Sequence, residues 1–253
     1  MNLRLKYLPK MKILNFLLTF IYPKTCMSCN TLLNYNTKIE LCDNCAKDFN
    51  PYRGNRCITC DRPIDNTGEC SICKSEKIYF EKGYCVYPYA GAVRNTILNF
   101  KFKNMALYYT YLGSKMTEYY FEYIMESYDY ITAVPIHKKK LKVRGYNQAE
   151  LLAEYISEQI NIPYCTVLKR TVNTKPQNAL NKKERVTNIK NAFSLIDNID
   201  IKNKSILIVD DIFTTGTTIN ECCKVLKKPV HSKLIFYLFP PKEKLNKKQK
   251  RLF

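Results

Sequence analysis

Residues 206–218 read Ile206-Leu207-Ile208-Val209-Asp210-Asp211-Ile212-Phe213-Thr214-Thr215-Gly216-Thr217-Thr218, and this string leaves few folds open. Four consecutive aliphatic residues suit a strand buried on both faces, as in parallel sheets covered by helices. Two carboxylates stand where that strand ends. A Thr- and Gly-rich turn follows, then a helix-forming run from Asn220 to Lys228. Backbone N–H groups at a helix start favour an anion. The threonine hydroxyls add donors around it, and Gly216 permits positive φ or close backbone approach. Ionised Asp210 and Asp211 can only accept, so they suit sugar hydroxyls or a hydrated Mg²⁺. The combination points to a site for a phosphorylated sugar in an α/β domain. An ordinary turn with a solvated acidic pair is the simpler alternative, and the completeness of the string argues against it.

The other end of the chain constrains the fold differently. Of twelve cysteines, eight form four Cys-x-x-Cys pairs: Cys26/Cys29, Cys42/Cys45, Cys57/Cys60 and Cys70/Cys73. Two residues between ligands let both thiolates of a tight turn face one ion, and two such turns complete a tetrahedral Cys₄ zinc site. A disulfide framework needs an oxidising compartment, and no export signal is visible. A thioredoxin-type site needs one pair in a βαβ context, not four. Two structural zinc ions are therefore expected. Sequential ribbons would join the first two pairs and then the last two; a cross-braced arrangement would join alternate pairs. The short intervals favour the sequential form. This segment is too small and polar for its own core, so metal binding supplies much of its folding energy. Cys85, Cys165, Cys222 and Cys223 have no metal spacing and read as core residues.

The chain has 253 residues and a formal charge of +19. That length holds one α/β domain plus a small module. The charge fits a polyanion such as nucleic acid; it also fits a Lys-, Asn-, Ile- and Tyr-rich composition with no partner implied. Basic residues cluster at Lys138–Arg144, at Lys169–Lys190 and in the tail Lys242–Arg251. The apolar run Ile13–Tyr22 is too short to span a bilayer. Leu14, Leu17, Leu18 and Ile21 share one helical face, which predicts an amphipathic helix within residues 1–24. No small-residue cleavage site follows it, so a cytoplasmic protein without a membrane span is expected. Residues 25–76 would form the ribbons, 77–240 the α/β domain and 241–253 a basic tail.

Within the α/β domain, Ile78–Tyr89 reads as one or two strands, and Gly91–Asn104 and Leu107–Ser127 as amphipathic helices. Tyr130–Ile136 is a strand, followed by a basic loop, His137–Gln148, and a helix over Ala149–Gln159. That loop lies at the carboxyl end of its strand, where open α/β sheets bind ligands. Lys169–Phe193 is polar and long, and predicts a mobile lid entering a short helix.

The strand, the acidic pair, two variable residues and Thr-Thr-Gly-x-Thr resemble the phosphoribosyl pyrophosphate (PRPP) loop of type I phosphoribosyltransferases. Further motifs extend the likeness. Val-Pro-Ile-His at 134–137 precedes Arg-Gly-Tyr-Asn-Gln-Ala-Glu-Leu-Leu-Ala at 144–153. Then come Arg170-Thr171, Pro176-Gln177, Leu180, Arg185, Asn188 and Ala192-Phe193. With the cysteine pairs, these resemble the ComF/GntX family over about Phe16 to Phe239. Tyr146 stands where Phe is commoner in that family, and Pro229-Val230 replaces its usual Gly-containing helix stop.

The resemblance implies a type I phosphoribosyltransferase-like parallel sheet with helices on both faces, preceded by a small Cys₄ zinc-ribbon module. It implies Mg²⁺ with PRPP as ligand, held by Thr214, Thr215, Gly216, Thr217 and Thr218 at the 5′-phosphate. Lys139, Lys140 and Arg144 would sit at the pyrophosphate. Asp210 and Asp211 would be the catalytic pair on the ribose. His137 is either a further pyrophosphate donor or a solvated loop residue. The family is associated with DNA uptake in natural competence, with single-stranded DNA and with the DNA-uptake machinery. Two functions follow: a phosphoribosyltransferase acting on an unknown acceptor, or a non-catalytic single-stranded DNA-binding competence protein with PRPP as regulatory ligand.

Overall fold

The structure is a computed structural model that describes residues 23–34, 37, 40–103, 105–174, 187–213 and 215–226, and the backbone of 230–239. In chain order its elements are α1 (Asp43–Ala46), α2 (Ser71–Ser75), β1 (Lys82–Cys85), α3 (Gly91–Phe102) and α4 (Tyr108–Tyr123). Then follow β2 (Tyr130–Ala133), α5 (Lys138–Arg144), α6 (Gln148–Ile160), β3 (Leu168–Arg170), β4 (Phe193–Leu195), β5 (Lys204–Ile212), α7 (Thr217–Leu226) and β6 (Val230–Phe239). Residues 1–22, which hold the expected amphipathic helix, the tail, Thr214, Pro229 and the lid residues Pro176, Gln177, Leu180 and Arg185 lie outside the described residues.

The sheet order is β1-β6-β5-β2, and all three pairings are parallel. β5 lies inside the sheet. It alternates between two apolar layers, because successive side chains on a strand point to opposite faces. Leu207 and Val209 bury with Ile131, Ala133, Ile97 and Phe100 of α3, Leu112 of α4 and Leu152 of α6. Ile206 and Ile208 bury with Ile219, Cys222 and Cys223 of α7 and with Leu168 and Phe193 of the β3–β4 pair. Helices therefore cover both faces, as the sequence pattern predicts.

The cysteine-rich segment divides between those layers. Cys26, Met27, Leu41 and Cys45 join the first; Cys57, Cys60, Cys70 and Cys73 join the second. One ribbon packs on each face of the sheet.

Three local expectations shift. The basic stretch after β2 is a helix, α5, not a loop. Its start is fixed by His137, whose Nδ1 accepts from the Lys139 N–H at 3.2 Å. Its end is fixed by Gly145 at φ 84°. Helix α7 begins at Thr217, three residues earlier than its periodicity suggests, so the phosphate-type turn is tighter. Lys169–Phe193 begins and ends in an antiparallel pair: Arg170 opposes Phe193 and Leu168 opposes Leu195. Its stem is thus a β-ribbon rather than free loop. Ile78–Tyr89, expected as one or two strands, yields one, β1.

Candidate functional site

β5 carries Asp210 and Asp211 to its carboxyl end, and the turn before α7 follows at once. Both carboxyls are buried, at 9% and 7% exposure. Asp210 Oδ1 accepts the Asp211 N–H at 2.8 Å. Asp211 Oδ2 pairs with Lys101 Nζ at 2.8 Å. Burial, then the neighbouring Asp211 charge, pushes the Asp210 carboxyl well above the usual carboxylate range, and Lys101 opposes that shift. This environment disfavours charge on Asp210, and a cationic or hydroxyl-bearing ligand would relieve it.

Beyond the acids the chain turns at Gly216, with φ 78°. A Cβ there would sit 2.6 Å from the Phe213 ring, so glycine is required both by backbone and by contact. Thr215 and Thr217 hydroxyls lie 2.7 Å apart, and the Gly216 carbonyl accepts from Asn220 N–H at 2.8 Å. A small pocket is lined by Asp210, Ile212, Phe213, Gly216, Thr218 and Ile219. The candidate donors Thr215, Gly216, Thr217 and Thr218 are thus brought together beside Asp210.

A cationic cluster approaches the acids through Arg170, which neighbours Asp210. Lys140 and Arg144, one turn apart on α5, are half-buried; Lys139 is exposed. The helix separates residues that the motif alone groups together. Burial, then Arg170 and Arg144, lowers the Lys140 pKa. Arg170, from β3, is itself buried enough to be pulled down, with Asp210 among the charges that hold it up. Its guanidinium lies over the Phe193 ring at 5.3 Å and donates to Thr174.

The Arg-Gly-Tyr-Asn-Gln motif gives Arg144 to this cluster and fastens it in place through Tyr146, Asn147 and Gln148. Arg144 donates to Gln148 Oε1 at 2.6 Å. Tyr146 and Gln148 both donate to the Phe100 carbonyl, at 2.5 and 3.3 Å. Asn147 donates to the Val134 carbonyl at 3.1 Å. These bonds fasten α5 to the end of β2 and to the end of α3, where Lys101 stands. His137 caps α5 through Nδ1.

Lys101 and the placement of Arg170 escape sequence reasoning. Lys101 sits in Asn-Phe-Lys-Phe-Lys, and its only signal is a charge in the last turn of an apolar helix. Arg170 is visible in its motif, but its burial beside Asp210 is a tertiary fact.

The cysteines gather in the sequential arrangement. The ligand atoms of Cys26, Cys29, Cys42 and Cys45 lie within 4.8 Å of one another, as do those of Cys57, Cys60, Cys70 and Cys73. Four sulfurs at that spacing fit tetrahedral Zn²⁺ and leave no open position, which makes both sites structural. Cys85, Cys222 and Cys223 are buried as expected, whereas Cys165 is only partly buried.

Comparisons with known proteins agree with this division. Residues 17–74 match the double zinc ribbon domain, and residues 146–247 match the phosphoribosyl transferase domain. The chain is 30% identical over 217 residues to competence protein F of Haemophilus influenzae, covering 80% of this chain and 90% of that one. It is 23% identical over 193 residues to competence protein ComFC of Bacillus subtilis, covering 74% and 78%. A purine phosphoribosyltransferase from Pyrococcus horikoshii is 19% identical with a TM-score of 0.30, covering 56% of this chain and 86% of that one.

Proposed function

The chain belongs to the competence protein F family, and from that premise we propose that its site binds PRPP with Mg²⁺ and transfers phosphoribose to an acceptor. The observation that carries this reading is one juxtaposition. Two buried carboxyls end β5 beside the Gly216 turn, and Arg170, which neighbours Asp210, links them to Lys140 and through it to Arg144.

Each group has a role in that reaction. Thr215, Thr217, Thr218 and the turn amides receive the 5′-phosphate, as does Thr214 by its place in the motif. Lys140 and Arg144, with Lys139 at the rim, neutralise pyrophosphate. Asp210 and Asp211 accept from the ribose hydroxyls and lie near the positive charge that develops on the sugar. The bond from C1 to the pyrophosphate oxygen breaks, the acceptor's nucleophile bonds to C1, and pyrophosphate leaves. The acidic pair offers hard oxygen donors that suit Mg²⁺; when bound, the ion would neutralise leaving-group charge. Lys101 holds Asp211 in the free protein and must be displaced from it, or stay to orient it, when sugar binds.

A second reading rests on a separate surface. Lys138, Lys139 and Lys142 are exposed along α5. Phe102, 65% exposed, lies against Arg144 at 5.6 Å. Basic groups beside an open aromatic ring suit single-stranded nucleic acid. The tyrosines contribute less than their number suggests: among the described residues only Tyr123 is exposed. In this reading the protein is a cytoplasmic DNA-handling partner of the uptake machinery with PRPP as regulatory ligand.

One experiment separates the two. Mg²⁺–PRPP binding is measured by calorimetry, and pyrophosphate release is followed with and without single-stranded DNA. Transfer predicts binding plus release, both abolished in Asp210→Asn/Asp211→Asn. Binding without release under either condition favours the regulatory reading. No binding by the zinc-loaded parent removes PRPP from both.

A further inference from the structure

The second ribbon reaches the phosphate-type turn through one side chain. Arg62 follows Cys60 by two residues and is 2% exposed, although arginine is rarely so deeply buried. Its backbone belongs to the metal knuckle. The Arg62 carbonyl accepts from Cys57 N–H at 2.8 Å, and the Arg62 backbone hydrogen-bonds the Cys60 sulfur. The direction in which its side chain leaves the ribbon is therefore set by the same turn that presents two of the zinc thiolates.

That side chain ends at the loop after β5. The Arg62 guanidinium lies 5.8 Å from the centroid of the Phe213 ring. Phe80, from the segment joining ribbon to sheet, meets the same ring edge-on at 6.1 Å. The third neighbour of the ring is Gly216: a Cβ built there would lie 2.6 to 3.3 Å from three of the ring's carbons. Phe213 thus fills the space beneath the one residue whose φ of 78° makes the turn. A cavity of about 100 Å³ adjoins the contact, and its lining includes Arg62, Phe80, Phe213, Thr215, Gly216 and Thr217.

We propose that Arg62 is a positioning residue through which the second zinc ribbon sets the phosphate turn: its guanidinium fixes the Phe213 ring, and the ring fixes Gly216. A cation held over an aromatic face is attracted by the ring quadrupole, and more strongly where water is excluded. Without that contact the ring gains freedom to move toward or away from Gly216. The turn amides and the Thr215 and Thr217 hydroxyls then lose their fixed aim, which costs binding of whatever anion they hold. The inference rests on the reading that the turn binds PRPP, and it adds that the ribbon is a working part of the site.

The test uses the full-length, zinc-loaded protein with Mg²⁺–PRPP as probe. Arg62→Gln, Arg62→Lys, Phe213→Leu and the double variant Arg62→Gln/Phe213→Leu are compared by calorimetry, with zinc content measured on each. Arg62→Gln is expected to keep two zinc ions and to weaken PRPP binding by about five- to tenfold, the range of a buried cation–ring contact. Arg62→Lys, which restores a cation, should recover most of that loss. Phe213→Leu should bind as weakly, and adding Arg62→Gln to it should change little, since both act through one contact. The chain has no tryptophan, so Phe213→Trp supplies a single tryptophan at the ring, excited selectively at wavelengths the tyrosines do not absorb. Its emission should shift on adding PRPP, and Arg62→Gln should move the midpoint of that shift to about five- to tenfold higher PRPP. PRPP affinity within twofold of the parent in zinc-loaded Arg62→Gln, or losses that multiply in the double variant, overturns the proposal and leaves PRPP binding standing. If Arg62→Gln fails to hold zinc, zinc-loaded Phe213→Leu decides: parental affinity there overturns the proposal. A parent that binds no PRPP overturns the proposal together with the reading beneath it.

Discussion

The two ribbons repeat one chemical idea and are built into the molecule in different ways. In the first, Cys26 and Cys45 are buried, Cys42 is half-buried and Cys29 is exposed; in the second, all four cysteines are buried. The first ribbon rests on helix α3. Asn99 donates to the Met27 and Ser28 carbonyls at 2.7 and 3.2 Å, and Asp48 accepts from the Ala92 N–H at 2.7 Å. Gly91, at φ 47°, has no Cβ to strike Asp48 Oδ2. Lys101 stands two residues beyond Asn99 and reaches Asp211. The second ribbon is fastened to β1 instead. Asp61 Oδ2 accepts from Arg56 at 2.8 Å, from Cys85 N–H at 2.8 Å and from Tyr119 at 3.2 Å. One ribbon holds the helix that serves the acidic pair, and the other holds the residues around the phosphate turn. A small metal module without a core of its own can be stabilised by lending its buried sulfurs to a neighbour's core, and both ribbons do so on opposite faces of one sheet.

The largest expected effect comes from breaking the more deeply buried ribbon. Cys60→Ser should lose the second zinc and destabilise the whole molecule by about 4 kcal/mol or more, a size reserved for losses of core or metal. Cys29→Ser removes a ligand at the solvent-facing edge of the first site and should cost much less. Denaturant unfolding and zinc content of the two variants check this. Equal losses would show that exposure of the thiolates does not distinguish the ribbons.

The next effect tests the acidic pair that the first ribbon serves through α3. The folded-state pKa of Asp210 is raised, so its protonated form is favoured in the folded protein. Its contribution to stability is fully present below the unfolded carboxylate pKa. It is lost as pH rises through the raised folded value. Asp210→Asn should therefore stabilise the ligand-free protein at pH 8 by on the order of 1–3 kcal/mol, with little change at pH 4. Chemical denaturation at the two pH values measures it. A substitution that destabilises the protein at both would mean that Asp210 is satisfied as an anion.

The reach of the sequence also divides along this comparison. The Asp-Asp and Thr-Thr-Gly-x-Thr string specifies its own strand, turn and helix, because its signals are local: apolar run, acceptors, then a residue free to take positive φ. The cysteine pairs specify two sulfur clusters for the same reason. What was not legible is tertiary. Lys101 reaches Asp211 from a helix 110 positions earlier in the sequence, and no periodicity marks it. Arg62 reads as a polar residue between ribbon ligands, yet it is buried. The basic stretch 138–144 reads as a loop by charge, because five like charges repel. A histidine cap and a glycine stop make it helical, and only then do Lys140 and Arg144 part from Lys139.

The smallest effect isolates the first ribbon's hold on α3. Asn99 is 6% exposed and its amide satisfies two carbonyls of the knuckle that presents Cys26 and Cys29. Asn99→Ala leaves both carbonyls without that donor, at an expected cost of about 1–2 kcal/mol. The loss should fall on one ribbon only, since both side-chain hydrogen bonds described for Asn99 go to the first. Zinc release to a chromogenic chelator should then show two phases in the parent, the faster one belonging to the exposed first site. Asn99→Ala should quicken that phase alone. If the slow phase quickens equally, the ribbons communicate through the sheet, and each can no longer be assigned its own half of the site.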